Sequence, residues 1–490
     1  MPERRPAAPR RLLAPAACGL AAGSVAFLCT VVAWPEMVVP AWMLSRGAVL
    51  YRDAIEPYTP ALILLTASAG KLAGFHAGLF RALSAVPPAA CAFLLVRAVP
   101  RSLPRPFRAA LALASTALVV LWSVYFGGPE LWPDVFVAPF VLAATLVLSR
   151  VARTAAASRL RAAGLLLGSA ILVKQTSAWV LLGAVVWAVV AGGRERWRRA
   201  ASLAAWGSLP YLVFAVAWAA LFRTGEHLYW TLWLPVSGHA AEIGSSTDLA
   251  DLLEAVAPAM AFPAAGLLAR AARGRGHRAR PLPFLGFAVA GMAWPRWGLL
   301  HLAGSLGVVV LATLVAFRGG RAFLARGRRR SPSRSALAAA GVGAAFLACH
   351  VAVAGLGAGP LLAAELGGPV RYWDDARVRE MARRAEAAAG PGGSFLNFGA
   401  TYDNVYVRAA TPPPCGLYVN VAFWFFLDKR GLDRRLTECV AAQPGLPVLF
   451  AEPEDPGGRL RRTAIHGLVR SRTEEVERLD ERTTLRRVVR

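Results

Sequence analysis

Long apolar runs alternate with short arginine-rich ones over the first three-quarters of the chain. A helix crossing the hydrocarbon core of a membrane needs about 20 predominantly apolar residues. Eleven such stretches are centred near Ala21, Ala89, Leu113, Val141, Leu167, Ala184, Phe214, Ala257, Gly286, Val309 and Phe346. The fifth and sixth are short and abut at Lys174-Gln175-Thr176-Ser177, so their boundary is the least defined. Arg4, Arg5, Arg10 and Arg11 precede the first stretch. Further clusters fall at every second loop, from Arg97 to Arg108, Arg150 to Arg161, Arg194 to Arg199, Arg270 to Arg280 and Arg318 to Arg334. Basic loops stay in the cytoplasm. The pattern predicts a cytoplasmic N-terminus and, after eleven spans, an external C-terminus. A cleavable signal peptide within residues 1–33 is the rival reading of the first stretch.

Two regions break the pattern. Residues 34–79 mix Trp, Pro and charge with a moderately apolar stretch, Thr59 to Gly74. Inserting that stretch would invert every later loop and place the arginine clusters outside, so it reads as a helix lying in the interface. Residues 358–490 mix Asp, Glu and Arg throughout and read as a soluble α/β domain on the outer side. Within it Asp374 to Ala389 has helical composition with Gly390 as its stop, and Ser394 to Phe398 and Pro447 to Phe450 read as short buried strands. The last twenty or so residues are expected to fray. The predicted fold is thus an all-α polytopic membrane protein of about eleven transmembrane helices, with a membrane domain over 1–357, a first outer loop over 34–79, and a small extracytoplasmic α/β domain over 358–490. The Gly19/Gly23 and Gly164/Gly168 pairs match the small-xxx-small pattern of helix packing.

Composition supports the membrane reading. Of 490 residues, 56% are hydrophobic, and the mean hydropathy is +0.46. The net charge of +26 would suggest nucleic acid if it lay on one soluble face. Divided among loops, it is a topology signal instead, and no nucleic-acid partner is expected. The six cysteines include no CxxC pair. Only Cys415 and Cys439 fall in a region of soluble composition, which leaves a disulfide between them open. Gly355 to Gly359 lacks the strand and the last glycine of a dinucleotide loop, and no Walker lysine or HExxH pair occurs. ATP-driven work is therefore not expected.

The remaining chemistry lies on the predicted outer face. Arg46-Gly47-Ala48-Val49-Leu50-Tyr51-Arg52-Asp53-Ala54-Ile55-Glu56-Pro57-Tyr58-Thr59-Pro60 places acids just outside the first span. A partly desolvated carboxylate there could take a proton from a hydroxyl, or Arg52 and Asp53 could form an interfacial ion pair. Lys174, Arg296 and His301 sit at predicted membrane depth, where a cation is costly without a cavity or a partner. A lipid-linked phosphate is one such partner, and snorkelling or packing is the other reading. The loop Gly127-Gly128-Pro129-Glu130-Leu131-Trp132-Pro133-Asp134 holds two acids and no base. The aromatic set around Glu226, His227, Tyr229, Trp230 and Trp233 suits an interface belt or sugar stacking.

The stretch GAVLYRDAIEPYTPALILLTASAGKLAG resembles the first outer loop of polyprenyl-phosphate-dependent glycosyltransferases of the GT-C fold, the group that includes protein O-mannosyltransferases and aminoarabinose transferases. By position, Asp53 matches that group's essential loop aspartate, with Tyr51, Arg52 and Glu56 beside it, and Thr59-Pro60 matches the start of an amphipathic helix. Ile171 to Thr176, with Lys174 and Gln175, and Trp294 to His301, with Arg296, resemble later motifs of the same group. The resemblance implies a transferase that uses a polyprenyl-phosphate sugar donor. Asp53 would then be the general base, Glu130 or Asp134 would assist it, and Lys174, Arg296 and His301 would stabilise the leaving phosphate. It implies no organic cofactor and leaves a divalent metal undecided. The first loop lacks the consecutive Asp-Glu pair of protein O-mannosyltransferases, so the acceptor stays open among glycan, lipid and protein. A transporter or flippase for lipid-linked glycans is the alternative, and it would be favoured by inverted repeats and broken helices, neither of which the sequence shows. A second alternative is a non-catalytic scaffold whose outer domain binds cell-wall polymers.

Overall fold

The computed structural model describes residues 12–234 except 101–102, 127, 152–156, 192 and 224. It then describes 284–285, 288, 291–292, 299–312, 314–315, 357, and 359–490 except 399–403, 420–426, 428 and 453–459. The chain divides into two compact units. One comprises Met1–Val31, Arg81–Leu221 and His239–Gly368, and the other Val32–Phe80, Phe222–Gly238 and Pro369–Arg490. Residues 34–79 fall in the same unit as Pro369–Arg490.

The helices of the first part of the chain are α1 (Leu13–Leu28), α2 (Pro35–Ser45), α3 (Ala61–Ala73), α4 (Ala77–Ala98), α5 (Arg105–Tyr125), α6 (Pro133–Val151), α7 (Ala157–Val173), α8 (Ala178–Ala191) and α9 (Arg196–Phe222). Among the described residues four helices are long and apolar enough to cross a membrane: Ala77–Ala98, Arg105–Tyr125, Pro133–Arg150 and Gly193–Phe222. The expected spans near Ala257 and Phe346 lie outside the described residues. On α5 and α9 large apolar side chains such as Leu113, Val216 and Leu221 are exposed. A helix this apolar on its outward face is stable against hydrocarbon and not against water. Pro87, Pro88, Pro139 and Pro210 lie inside these helices, a placement that membrane helices tolerate because neighbouring helices and local adjustments satisfy the freed carbonyls.

Both glycine pairs mark close helix crossings. A Cβ on Gly19 would clash with the Ala89 carbonyl of α4, and one on Gly168 would clash with the Gly207 carbonyl and the Pro210 ring of α9. Helix α7 stops at Val173, and a single 3-10 turn, Gln175–Ser177, separates it from α8. The ambiguous fifth and sixth stretches are therefore two helices broken at Lys174.

In the other unit the sequence reading missed α2. This helix buries Pro35 to Met43 on all sides, so it carries no amphipathic period to read. Helix α3 occupies the Thr59-to-Gly74 stretch. Its 13 residues rise only about 20 Å, well short of a hydrocarbon core of about 30 Å. Leu62, Ile63, Thr66, Ala67 and Gly70 face inward, while Leu72 is 89% exposed.

The C-terminal segment forms a four-stranded sheet ordered Leu396–Phe398, Pro447–Ala451, Thr483–Val488, Thr473–Arg478. The first pair is parallel and the others antiparallel. Both expected strands are present. The expected helix runs Ala376–Ala389, its N-terminus capped by Asp375 accepting from the Arg377 N–H, and it ends at Gly390 with φ 70°. The last twenty residues do not fray: Thr473–Arg478 and Thr483–Val488 form a hairpin. The reason is turn chemistry, since Asp480 accepts hydrogen bonds from the backbone N–H groups of Arg482 and Thr483. Cys415 and Cys439 are disulfide-bonded, with Cα atoms 6.3 Å apart.

Candidate functional site

Two constellations contain the predicted site residues that are described, one in each unit. The first is built on the chain from Val49 to Thr59. Tyr51 adopts φ 70°, in the left-handed region that non-glycine residues rarely occupy. Two hydrogen bonds hold it there. Its N–H donates to Ala54 O at 2.7 Å, and its hydroxyl donates to Tyr58 O at 2.9 Å. The turn projects Asp53, and the next two residues, Ala54–Ile55, pair in parallel with Tyr418–Val419. The Tyr418 N–H donates to Asp53 O at 2.7 Å. A segment over 360 residues away in sequence therefore fixes the backbone of the loop aspartate.

The Asp53 carboxylate accepts the Val49 N–H at 2.8 Å and two guanidinium bonds from Arg52 at 2.8 and 2.7 Å. Its side chain remains 24% exposed. Partial burial works to raise its pKa, but the Arg52 hydrogen bond, the Val49 N–H and the charges of Arg52 and Arg435 outweigh burial and hold it below the usual carboxylate value. The ion pair considered from sequence is thus present, and it leaves one face of an ionised carboxylate accessible. Because the native pKa is depressed, the ionised form and its stabilisation are complete above the ordinary Asp range near 3.9, and are lost as pH falls through the lower native value. We expect a turnover–pH profile with no acid limb from this group at or above about pH 5, which a pH series on purified protein checks.

Glu56, three residues on, is fully buried, as is Thr59. A proton acceptor must reach its hydroxyl, so geometry separates Asp53 from its nearest competitor. Tyr51 is also buried and acts on the backbone, with no side-chain face left for a substrate.

The second constellation lies in the helical unit. Asp134 is the second residue of α6, behind Pro133, where the helix dipole favours a carboxylate. Lys174 occupies the extended residue at the α7/α8 break. Its Nζ lies 2.5 and 2.6 Å from the two Asp134 oxygens and 3.3 Å from His301 Nδ1. His301 Nδ1 is 3.6 Å from Asp134 Oδ2, and His301 belongs to the 3-10 segment Leu299–Ser305. Both ion-pair side chains are buried, while His301 keeps 18% of its side chain exposed. Three residues spread over 168 positions of sequence therefore meet, and the most exposed member of the cluster is the imidazole. Sequence reasoning named all three but missed that Asp134 is the partner of Lys174; an acid and a lysine at membrane depth, each needing compensation, were the available signal. Glu130 is buried in the turn before α6, and Gln175 is half-buried beside Lys174. Arg296 lies outside the described residues. Among the described residues no three His, Cys, Asp or Glu side chains gather to hold a metal ion.

A family model described as dolichyl-phosphate-mannose-protein mannosyltransferase matches residues 57–224. The crystal structure of ArnT from Cupriavidus metallidurans bound to undecaprenyl phosphate is similar at 18% identity and TM-score 0.57, with 98% of each chain covered. The apo form of ArnT gives 18% identity and TM-score 0.55 over the same coverage. No curated protein matches the chain by sequence. The likeness to ArnT shows that this chain has a GT-C fold, as the first-loop resemblance implied.

Proposed function

We propose, from the premise of a GT-C fold shared with ArnT, that this chain is a membrane glycosyltransferase moving a sugar from a polyprenyl-phosphate donor to an acceptor on the extracytoplasmic face. The observation that carries the reading is the Asp53 carboxylate, ionised, oriented by Arg52 and the Val49 N–H, and accessible. In the reaction Asp53 takes the proton of an acceptor hydroxyl, and the oxygen forms a bond to the anomeric carbon as that carbon's bond to the phosphate oxygen breaks. The electron pair leaves with the polyprenyl phosphate. Inversion at the anomeric carbon follows from a single displacement. The ArnT structure with undecaprenyl phosphate and the mannosyltransferase match at 57–224 support a lipid-linked donor.

Lys174, His301 and Arg296 are assigned to the leaving phosphate. Preorganised positive groups act most strongly where charge develops. Asp134 is then a positioning residue, holding the ammonium in place until a phosphate competes for it. Glu130 precedes Asp134 by four residues, and Gln175 follows Lys174 directly. Purified protein incubated with polyprenyl-phosphate sugars, together with a comparison of lipid-linked sugars and envelope glycans in cells with and without the gene, tests the reading. An unchanged glycan profile with no transfer in vitro would remove it.

The outer location of the loop and the C-terminal segment belongs to the same proposal, as does the count of eleven spans. The Cys415–Cys439 disulfide supports it, because such bonds persist in oxidising compartments. Reporter fusions at Gly320 and Gly392 are expected on opposite sides, cytoplasmic and external. If both report cytoplasm, α3 crosses the membrane and the arrangement is wrong.

A further inference from the structure

The segment Gly225 to Trp233 has a use that the transfer chemistry does not absorb. It contains a π-helical turn, Tyr229–Trp233, a rare wide geometry that recurs at functional sites. The turn sorts its side chains. Trp230 and Thr231 are buried anchors, whereas Leu228, Leu232 and Trp233 are exposed, Trp233 by 65%. With Gly225, Tyr229 and Arg430 they line an open groove of about 640 Å³ within one compact unit.

Arg430 is placed there by two consecutive left-handed residues, itself at φ 52° and Gly431 at φ 66°. Its guanidinium carbon stands 4.2 Å from the Tyr229 ring centroid, a cation–π contact that holds the planar fork flat. The Glu226 carboxylate is 3.9 Å from Arg430 Nε, beyond hydrogen-bonding reach. The side chain remains 49% exposed. Arg430, with Glu226 beside it, makes one end of the groove charged, and Leu228, Leu232 and Trp233 make the rest of its lining apolar.

We infer that this groove seats the phosphate headgroup of an anionic membrane phospholipid, with Arg430 gripping the phosphate and Leu228, Leu232 and Trp233 against the upper acyl chain. A guanidinium fork suits a phosphate bidentately, Trp and Tyr favour the headgroup level, and a soluble anion would gain nothing from the leucines. The inference rests on the membrane reading of the fold and not on the transfer reaction.

The test is native mass spectrometry of the purified full chain in detergent, incubated with phosphatidylglycerol or with phosphatidylcholine of the same acyl chains. Wild type should retain one phosphatidylglycerol and clearly less phosphatidylcholine, whose choline charge opposes Arg430. Arg430→Gln should retain it at least about 10-fold less, as expected for loss of a charge-assisted contact. Trp233→Gln, at an exposed ring whose loss spares the fold, should also weaken retention. Equal retention by wild type and both variants overturns the assignment. Displacement of the lipid by millimolar inorganic phosphate overturns it too, since that would mark a simple anion site. Transfer activity is not read, so failure here is distinguishable from failure of the proposed function.

Discussion

Asp53→Asn is expected to lose most of the turnover, about 100- to 10,000-fold, the usual contribution of a general base. The substitution keeps size and can keep the Val49 N–H contact through the amide oxygen, but it cannot accept the proton. It also loosens Arg52, which now binds both carboxylate oxygens. Arg52 is more than half exposed, so solvent screens the pair and its loss should change stability little. Donor binding should survive, because phosphate contacts are assigned to other residues. Glu56→Gln is the control. Glu56 is buried, so its substitution is expected to show first in stability and not in the chemical step. Transfer by both purified variants, with donor binding measured beside it, decides the matter. Near-normal turnover in Asp53→Asn removes the base assignment, and loss confined to Glu56→Gln moves the base three residues along.

Lys174→Met is expected to lower thermal stability sharply, because it leaves the Asp134 carboxylate buried without its partner. Breaking one side of a buried ion pair costs about 3–5 kcal/mol, whereas replacing both partners by apolar groups of similar volume is often neutral. The double substitution Lys174→Met with Asp134→Leu should therefore recover most of the lost melting temperature. Turnover should not follow it. If Lys174 stabilises the leaving phosphate, the double variant stays about 100- to 1,000-fold slow, the cost of removing one preorganised donor. Recovery of both stability and turnover would make the lysine purely structural. The two readouts separate a phosphate ligand from an internal counter-ion.

The GT-C resemblance, a helix over the Thr59-to-Gly74 stretch, the two stretches abutting at Lys174, the two glycine crossings and the strand at Pro447 were all legible in the sequence. Each depends on local pattern: apolar period, the side of the arginines, a small-residue spacing, or a run of β-branched and aromatic residues bounded by turns. The first-loop motif also named Asp53 before any geometry was known. Helix α2 was invisible because burial on every side erases the period that would reveal it. The terminal hairpin was missed because a single Asp480 turn outweighs the general tendency of chain ends to fray.

Only the tertiary structure decided which acid serves which partner. Composition and spacing left Asp53, Glu56, Glu130 and Asp134 as similar carboxylates, and only the first-loop resemblance set Asp53 apart. Their differences arise from contacts across long separations: Tyr418 fixing the Asp53 backbone, and Lys174 reaching Asp134 across 40 residues. A carboxylate's chemistry is set by its exposure and by the charges within a few ångströms of it, and no spacing rule along one chain encodes either quantity.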